Sequence, residues 1–336
     1  MKTQQSSLDL THFPVMLSEV IEISSPLNDK LIVDCTFGGG GYSKALLKIS
    51  SSKVIGMDRD AAVISIANKL KKKFSRRFQF HQIKFSQIDE LLNENVDIII
   101  FDLGLSSIQL NNLSRGFSFK SNEKLDMSMG LSDVSAQEVV NKLSENQLKL
   151  IIKILGEEKE ASRIAKNIVK ARSEKKITRV NELVEIIEKS KKKKFSNKIN
   201  PSTKTFQALR IFVNKEITEL INGITKATKM LKPGGKILVL SFHSIEDKIV
   251  KYFFSNFSKD KSKPSRYLPE ENNDSSFLFE KYNKKVIKPS KIELEKNNAS
   301  RSAKLRFAIR SKNKFVFPTN IIQKFNKYLN IEAINV

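Results

Sequence analysis

A run of glycines and two acidic residues stand where a nucleoside-containing cofactor would need them. The segment Val33–Ser43, VDCTFGGGGYS, places four of the chain's twelve glycines directly after a short apolar run. Glycines that follow a strand and open a helix let a ligand approach the backbone and direct helix N–H groups toward it. Asp58 ends the next apolar run, twenty residues after Gly38, where a carboxylate can accept both hydroxyls of an adenosyl ribose. A tight turn with a helix-capping Asp58 is the alternative interpretation.

The spacing of these glycines narrows the choice of cofactor. A dinucleotide fingerprint, G-x-G-x-x-G, that began at Gly38 would place its third glycine at the position of Ser43. The chain also lacks the G-x-x-x-x-G-K-[ST] string of a P-loop. S-adenosylmethionine needs no pyrophosphate cradle, only room beside its methionine part, acceptors near the sulfonium and an acid for the ribose. Asp34, the glycine loop and Asp58 supply these features, so the sequence favours S-adenosylmethionine.

The single cysteine indicates which kind of atom receives a methyl group. Methylation of carbon 5 of a pyrimidine usually requires a cysteine that adds to the ring, but Cys35 lies inside the first apolar run and is expected in the core. An exocyclic nitrogen or a ribose oxygen can attack the methyl group directly, provided that the enzyme orients it and accepts the developing charge. Asp102, which opens DLGLSS after a further apolar run, is the candidate to accept a hydrogen bond from the cofactor or from the attacking amine; a turn-capping aspartate is the alternative.

These residues fall at the ends of predicted strands. The predicted elements of the first third are strands at 31–35, 53–57, 78–83 and 96–101 and helices at 42–49 and 60–73. Strands that alternate with helices predict a parallel, doubly wound α/β sheet, whose strand carboxyl ends form the ligand edge.

The alternation breaks after residue 110. Residues 135–189 show helical periodicity with lysine-rich outer faces and no strand pattern. The α/β pattern then resumes with a helix at 206–231, a Pro-Gly-Gly turn, a strand at 236–241, a helix at 244–255 and strands at 284–287 and 305–310. We therefore predict a discontinuous α/β domain, residues 1–110 and 206–336, which is interrupted by an all-helical domain at 111–205.

Basic charge is concentrated outside the first third of the chain. The chain has 60 lysine and arginine residues against 36 acidic ones, a formal net charge of +24. Residues 1–110 hold 13 basic and 12 acidic side chains, residues 111–205 hold 21 and 12, and residues 206–336 hold 26 and 12. A bias of genome composition would spread the excess evenly. The distribution therefore favours a nucleic-acid partner for the basic part, with solvated lysine faces as the alternative.

Composition excludes several other classes of protein. Hydrophobic residues make up 40% of the chain, enough for a core, but no apolar run approaches the roughly 18 residues of a membrane span. One cysteine excludes a disulfide framework or a cysteine-rich zinc site. The histidines, His12, His81 and His243, show no metal-ligand spacing. The first residues contain no apolar region of a signal peptide, so we expect a cytoplasmic protein without a metal.

Longer motifs around these residues are more specific. The chain resembles the RsmH (MraW) family of 16S ribosomal RNA cytosine-N4 methyltransferases, and the match runs in order over nearly the whole chain. The strings that carry the resemblance are HFPVM (12–16), DCTFGGGGYS (34–43), DRD (58–60), FDLGLSSIQL (101–110), RGFSF with LDMSM (115–129), GEE (156–158), NPSTKTFQALRIFVNKE (200–216), LKPGGKILVLSFHSIEDKIVK (231–251) and NNASRSAKLR (297–306).

The resemblance implies a fold and a reaction. The implied fold is that of a class I S-adenosylmethionine-dependent methyltransferase, a Rossmann-like doubly wound sheet with an inserted all-helical substrate domain. The implied reaction is direct in-line methyl transfer, without a cysteine nucleophile, to N4 of a decoding-centre cytidine, nucleotide 1402 in standard rRNA numbering. The implied partner is 16S rRNA within the assembled or nearly assembled small ribosomal subunit, and the family also allows a homodimer.

The resemblance also assigns site residues. Its cofactor contacts map onto Gly40, Gly41, Tyr42, Asp58, Phe85, Asp102 and Gln109. Gly38 and Gly39 are then expected to shape the turn. Many family members have histidine where this chain has Tyr42, so only backbone contacts carry over at that position.

Catalytic and RNA-binding candidates come from the same motifs. The catalytic candidates are Asp102, Ser106, Ser107 and His243. DLGLSS lacks an aromatic residue that could stack on a flipped base, so another part of the chain must hold it. The candidates to hold the base are Phe117, Phe119, Phe206, Arg210 and His243, with core packing as the alternative for the phenylalanines and a structural role as the alternative for the histidine. Arg301 and Arg306 are either phosphate contacts or surface charges.

Two other functions stay open on the sequence alone. A catalytically silent rRNA-binding assembly factor would keep the fold, although the intact set of cofactor residues argues against it. A methyltransferase for a small molecule or a protein would have no need of a basic helical insertion.

Overall fold

The computed structural model describes residues 14–191, 200–259 and 277–336, which are built around one sheet. The seven strands found in these residues are β1 (Leu31–Asp34), β2 (Lys53–Asp58), β3 (Phe78–Gln82), β4 (Val96–Asp102), β5 (Leu231–Ser241), β6 (Phe279–Tyr282) and β7 (Lys304–Arg310). Their order across the sheet is β3-β2-β1-β4-β5-β7-β6. Strands β1 to β5 pair in parallel, whereas β7 pairs antiparallel with β5 and β6.

The strand order reverses between β1 and β4. The chain runs from β1 outward through β2 to β3 on one side, then returns to place β4 on the other side of β1. In doubly wound sheets a crevice opens at the carboxyl ends of the strands where the order reverses, and ligands bind there. Asp34 ends β1 and Asp102 ends β4, so both carboxylates stand at this crevice. The predicted doubly wound α/β fold is confirmed.

Helices cover both faces of the sheet. They are α1 (Leu17–Ser24), α2 (Gly41–Ile49), α3 (Ile64–Lys73), α4 (Ile88–Leu91), α5 (Ser107–Asn111), α6 (Ala136–Lys142), α7 (Glu145–Leu155), α8 (Ala161–Glu174), α9 (Val180–Ser190), α10 (Thr203–Asn214), α11 (Glu216–Met230), α12 (Ser244–Asn256), α13 (Lys291–Lys296) and α14 (Thr319–Glu332). Short 3-10 helices lie at Ala61–Val63, Phe85–Gln87, Leu113–Arg115 and Asn298–Ser302. Among the described residues, no helix has the length and apolar character that crossing a membrane requires.

Alternate residues of the central strands pack into two separate clusters. Ile98 and Ile100 of β4 belong to the cluster under α2 and α3, whereas Ile99 and Phe101 belong to the larger cluster on the opposite face. All four side chains are buried. Because successive side chains of a strand point to opposite faces, a continuous apolar run such as VDIIIF is typical of a strand covered on both sides.

The helical segment after β4 shares the larger cluster with the sheet. Capping boxes start α6 at Ser135 and α7 at Ser144, each with a partner side chain three residues further on. Helix α7 packs against α8 and α10, and Ile151 and Ile152 belong to the same apolar cluster as Phe101. The helical character predicted for 135–189 is confirmed, while domain boundaries at 110 and 205 remain a prediction.

Two predicted elements differ from the structure. The helix predicted at 206–231 is two helices, because Lys215 adopts a left-handed conformation with φ of 50° between α10 and α11. The strand predicted at 284–287 is wrong: β6 lies at Phe279–Tyr282, and Ile287 forms only an isolated bridge with Leu305. The polar loop expected at 259–277 lies almost entirely outside the described residues.

Candidate functional site

A cavity of about 210 Å³ opens at the carboxyl ends of β1, β2 and β4. Apolar side chains, among them Phe85 and Leu220, form part of its wall. The wall carries five carboxyl groups and one guanidinium: Asp58, Asp102, Glu216, Glu219, Glu246 and Arg59. Because acidic groups outnumber the basic one, the cavity suits a ligand that carries positive charge.

The glycine loop forms one edge of this cavity. Gly38 has a φ of 50°, and Gly38, Gly39 and Gly41 lie on the wall. A Cβ atom at Gly39 would meet no other atom within 4 Å, so the space beside this residue is open to a ligand. At Gly40, where φ is 72°, a Cβ atom would lie 2.7 Å from Cζ of Phe37. Gly40 therefore shapes the turn and Gly39 faces the cavity, while the cofactor contacts of Gly40 and Gly41 stay predictions.

Asp58 stands opposite the glycine loop with its carboxylate held in place. Its Oδ2 accepts a hydrogen bond from the N–H of Gly38 at 2.7 Å, and its Oδ1 accepts one from the N–H of Asp60 at 2.9 Å. An ionised carboxylate offers about four acceptor positions, so each oxygen keeps one for a ribose hydroxyl. Burial raises the pKa of the Asp58 carboxyl above its ordinary value.

Asp102 has an unused acceptor. Its backbone N–H donates to Oγ1 of Thr36 at 2.7 Å, while its side-chain Oδ1 is buried without a hydrogen-bond partner in the described residues. Burial raises the pKa of Asp102 to about 8, and the nearby carboxylates of Asp34 and Glu246 add to the effect. Burial likewise raises the pKa of Asp34 to about 6, although the Ser43 hydroxyl donates to it at 2.7 Å.

Tyr42 does not present its hydroxyl to the cavity. The phenol O–H donates to the backbone carbonyl of Val15, and the ring is buried beside the wall. The side chain therefore fastens the segment before α1 onto the start of α2. This role needs no contact between the phenol oxygen and a cofactor.

Gln109 connects three parts of the site. Its Oε1 accepts from the N–H of Ser106 at 3.0 Å, and its Nε2 donates to Oδ2 of Asp60 at 2.8 Å. Asp60 also accepts both bonds of a forked contact from the guanidinium of Arg115, at 3.0 and 3.2 Å. Ser106 caps α5, and both it and Ser107 lie on the cavity wall. Gln109 thus reaches the cavity with its amide already bonded to protein.

The position of the Phe85 ring depends on Gly223 of α11. Its ring meets Phe101 edge-on, with 5.3 Å between ring centroids, and it lies on the cavity wall. A Cβ atom at Gly223 of α11 would collide with this ring. The absence of a side chain at Gly223 lets Phe85 stand between α11 and the cavity.

A second cavity, of about 180 Å³, adjoins the first. The two cavities share Leu105 and Phe242 in their walls. The second is lined by several residues predicted to hold RNA, together with His243: Phe117, Phe119, Phe206, Arg210 and His243. The rings of Phe119 and Phe206 meet edge-on at 6.3 Å between centroids. The structure therefore brings these five residues to one place, next to the cofactor cavity.

A group of charged side chains separates the two cavities. The guanidinium of Arg210 grips the carboxylate of Glu216 through Nε and Nη2, at 2.8 and 2.9 Å. His243 caps α12 by accepting the N–H of Glu246 on Nδ1 at 3.4 Å, and its Nε2 lies 3.1 Å from Oε1 of Glu246. Burial acts to raise the pKa of Glu246, but His243 and Arg210 outweigh it and lower the pKa.

This hydrogen-bond pattern argues against a metal ion in the group. Ligand atoms of Glu216, His243 and Glu246 lie within 4.8 Å of one another. Nδ1 of His243 already accepts the backbone N–H of Glu246 at 3.4 Å, and the guanidinium of Arg210 bonds both carboxylate oxygens of Glu216. Two of the three ligand groups are therefore occupied by protein donors.

Arg301 and Arg306 are far from equivalent. Arg301 is exposed in the 3-10 helix before β7. Arg306 is only 5% exposed, and its Nε donates to Oδ1 of Asp247 at 2.7 Å. Arg306 therefore presents little of its side chain to a phosphate, because it is nearly buried and its Nε is bonded to the partly buried carboxylate of Asp247; its contact with RNA stays a prediction.

The last helix supports the cavity wall. Glu332 of α14 accepts hydrogen bonds from the N–H groups of Ile217 and Thr218, at 2.9 and 2.8 Å, and so caps α11. Burial raises the pKa of Glu332 to about 7. Glu216 and Glu219 of the capped helix lie on the cavity wall.

Sequence patterns did not predict that Arg59 connects separate parts of the site. Arg59 donates to the backbone carbonyls of Gly130 and Asn214, at 2.8 and 2.9 Å, and to the Ser132 hydroxyl. It thereby joins the end of β2 to the loop before α6 and to the end of α10. The signal was present in the DRD string, whose arginine stands between two functional carboxylates, but its partners are distant in sequence.

The cavity fits the cofactor expected from the sequence. Asp58 has free acceptor positions for ribose hydroxyls, and Gly39 leaves open space beside the loop. The buried Oδ1 of Asp102, which has no hydrogen-bond partner in the described residues, can accept a donor or a cation. Sheets of this order with an acidic, glycine-edged cavity at the switch point are those of class I S-adenosylmethionine-dependent methyltransferases, and S-adenosylmethionine is the methyl donor of this protein.

The chain belongs to the MraW methylase family, whose model matches residues 9–311. The ribosomal RNA small subunit methyltransferase H of Bartonella bacilliformis is 43% identical over 302 residues, which are 90% of either chain. The protein of the same name from Ehrlichia canis is 44% identical over 74% of this chain and 86% of its own. A crystal structure of an rRNA methylase from Streptococcus thermophilus covers 88% of this chain and 95% of its own at 10% identity and a TM-score of 0.40, which adds nothing to the assignment.

Replacing Asp58 by alanine should weaken cofactor binding. The change removes charge-assisted hydrogen bonds worth about 2–3 kcal/mol, so we expect the dissociation constant for S-adenosylmethionine to rise roughly 30- to 150-fold in calorimetry. Glu90→Ala, at an exposed position outside the cavity, is the matched control. An unchanged constant in folded Asp58→Ala would contradict the assignment of Asp58 to the ribose.

Alanine at Gly39 and at Gly40 should have opposite effects. Gly40→Ala forces a left-handed conformation and a contact with Phe37, so we expect a loss of about 1–3 kcal/mol in the free energy of unfolding. Gly39→Ala has room for its methyl group and should stay within about 0.5 kcal/mol of the parent, but it narrows the cavity and should weaken cofactor binding. Denaturant unfolding and calorimetry on both variants test this, and equal losses of stability would contradict it.

Proposed function

We propose that this protein transfers the methyl group of S-adenosylmethionine to the exocyclic N4 of a cytidine in the decoding centre of 16S rRNA, nucleotide 1402 in standard numbering. The observation that carries the proposal is the pair of adjoining cavities, one acidic and glycine-edged, the other lined by aromatic side chains. The printed name of the relatives, ribosomal RNA small subunit methyltransferase H, supports rRNA of the small subunit as the substrate.

The second cavity is suited to a base turned out of its stack. Enzymes that modify a base take it into a pocket and hold it by stacking and by hydrogen bonds to its polar edge. Phe119 and Phe206 offer ring surfaces and Gln207 offers a polar group, while Arg210 lies on the same wall with its guanidinium bonded to Glu216. A base in this cavity would face the cofactor across Leu105 and Phe242, which belong to both walls.

The reaction needs no covalent intermediate with the enzyme. Cys35 is buried, and burial raises the pKa of its thiol, so no thiolate is available to attack a ring carbon. The amine of the base attacks the methyl carbon, a nitrogen–carbon bond forms as the sulfur–carbon bond breaks, and the amine loses one proton. The chain's own residues orient the base, exclude water and accept the proton.

The basic surface of the chain supports an RNA partner. Exposed lysines lie on the outer faces of the helical segment, and Arg301 is exposed beside β7. Positive charge of this kind attracts the phosphate backbone and makes binding dependent on salt. We place the rRNA within an assembled or nearly assembled subunit, assign substrate recognition to residues 111–205, and infer that the protein acts in the cytoplasm. A homodimer remains a prediction of the family resemblance.

The target can be tested by analysis of rRNA nucleosides. In a strain that lacks the protein, mass spectrometry should show loss of N4-methylated cytidine from 16S rRNA, restored by the parent chain and not by Asp58→Ala. Purified protein with labelled S-adenosylmethionine should then methylate immature small subunits. Tight binding of RNA with no transfer in a single turnover would instead favour an rRNA-binding assembly factor without catalytic activity.

Truncation of Phe119 should impair methyl transfer and leave cofactor binding intact. Loss of an aromatic side chain that stacks on a base costs about 1–3 kcal/mol, so we expect methylation of the rRNA to fall roughly 5- to 150-fold in Phe119→Ala. Phe119 is only partly buried, which limits damage to the core. Phe317→Ala, at a phenylalanine that is 46% exposed, is the matched control. Equal activity in the two variants would remove Phe119 from the base site.

A further inference from the structure

We propose that the carboxyl group of Asp102 loses its proton when the methyl donor binds. The positively charged sulfonium cofactor then binds beside the carboxylate, whereas the uncharged product binds beside the carboxylic acid. The exchange concerns the cofactor alone, and it holds whether or not the methyl acceptor is a cytidine.

The geometry of Asp102 gives the first reason. The residue ends β4 at the point where the strand order reverses, and Oδ1 is buried without a hydrogen-bond partner in residues 14–191, 200–259 and 277–336. A buried carboxylate is stable only when it is paired with a donor or a cation. Because the described chain supplies neither to Oδ1, a proton or a bound cation must do so.

The groups that face Asp102 are mostly acidic. Asp34 approaches from β1, Tyr42 from α2 and Glu246 from α12. The same cavity wall carries further titratable or charged groups, Asp58, Arg59, Glu216 and Glu219. Acidic neighbours disfavour a second ionised carboxylate in a dry site, which favours the proton on Asp102 in the absence of a ligand.

The cations nearby are committed to other partners. Arg59 donates to the carbonyl oxygens of Gly130 and Asn214, and Arg210 grips Glu216. His243 is turned toward Glu246. None of these three side chains bonds to the free oxygen of Asp102 in the structure as described.

The direction of the exchange follows from these surroundings. Burial first, and then Asp34 and Glu246, raise the pKa of Asp102 to about 8, so the empty site is mainly protonated at neutral pH. A permanent cation in the same cavity stabilises the carboxylate and lowers that pKa. Below about pH 8 the methyl donor must therefore displace a proton, and its affinity should rise about tenfold for each unit of pH until the carboxylate is ionised.

The product lacks the charge that drives this exchange. S-adenosylhomocysteine has a neutral thioether in place of the sulfonium, so its binding should release no proton and should change little over the same range of pH. If the acceptor is an amine, as proposed above, the proton that it loses can return to Asp102 when the sulfonium charge disappears. The total charge of the buried site then stays the same through the reaction.

Calorimetry can count these protons without any RNA. Titrations in buffers of different ionisation enthalpy, between about pH 6.5 and pH 8.5, should show release of close to one proton with S-adenosylmethionine at the lower end and none with S-adenosylhomocysteine. Sinefungin, which carries an ammonium group in place of the methylsulfonium, should behave like the methyl donor. Proton release of equal size with S-adenosylhomocysteine would assign the exchange to the amino group of the ligand and overturn the proposal.

Variants identify the group that titrates. Asp102→Asn keeps the shape of the side chain but cannot ionise, so we expect it to lose both the proton release and the tenfold slope. Asp34→Asn and His243→Gln are the comparisons and should keep the proton release. Asp34, with a pKa of about 6, titrates mainly below this range, and because its carboxylate raises the pKa of Asp102, its loss should move the transition to lower pH without removing it. Retention of the slope in folded Asp102→Asn would overturn the proposal. Because no RNA is present, either outcome is independent of the rRNA target.

Discussion

The hydrogen bond from the N–H of Gly38 to the carboxylate of Asp58 joins the first two strands at the cofactor site. The same carboxylate accepts a hydrogen bond from the N–H of Asp60, and this bond fixes the backbone of Arg59 and Asp60. Asp60 then binds Gln109 of α5, and Arg59 binds the loop before α6 and the end of α10. Three residues in a row thus connect the glycine turn, α5 and the helical segment around the cavity.

The two cavities differ in the charge of the side chains that line them. Acidic side chains surround the first cavity, where a permanent cation must bind, whereas the wall of the second cavity, as the described residues form it, carries Arg210 and no carboxylate, and exposed lysines lie on the outer faces of the helical segment. Arg210 and His243 stand between them, where Arg210 is bonded to Glu216 and His243 lies against Glu246. A polyanion and a cation can therefore approach the same reaction centre from different sides.

The sequence pattern of short segments predicted those features of the fold that depend only on such segments. The parallel strands, the glycine turn and the strand-end positions of Asp58 and Asp102 follow from apolar runs and turn residues, because these are properties of short segments. The break between α10 and α11 at Lys215 could not be predicted, because a lysine gives no sequence signal for a left-handed backbone conformation. The burial of Arg306 and the orientation of Gly40 depend on partners from other elements, Asp247 and Phe37, which one sequence does not reveal.

The cap that Glu332 places on α11 has a consequence for biosynthesis. The carboxylate reaches back more than a hundred positions to the helix whose first turn forms part of the cofactor wall. During translation the glycine turn and its acidic partners emerge early, but α11 lacks this cap until the chain has been made through α14. The first turn of α11, which carries Glu216 and Glu219 of the cavity wall, therefore gains its cap more than a hundred residues after it has been synthesised.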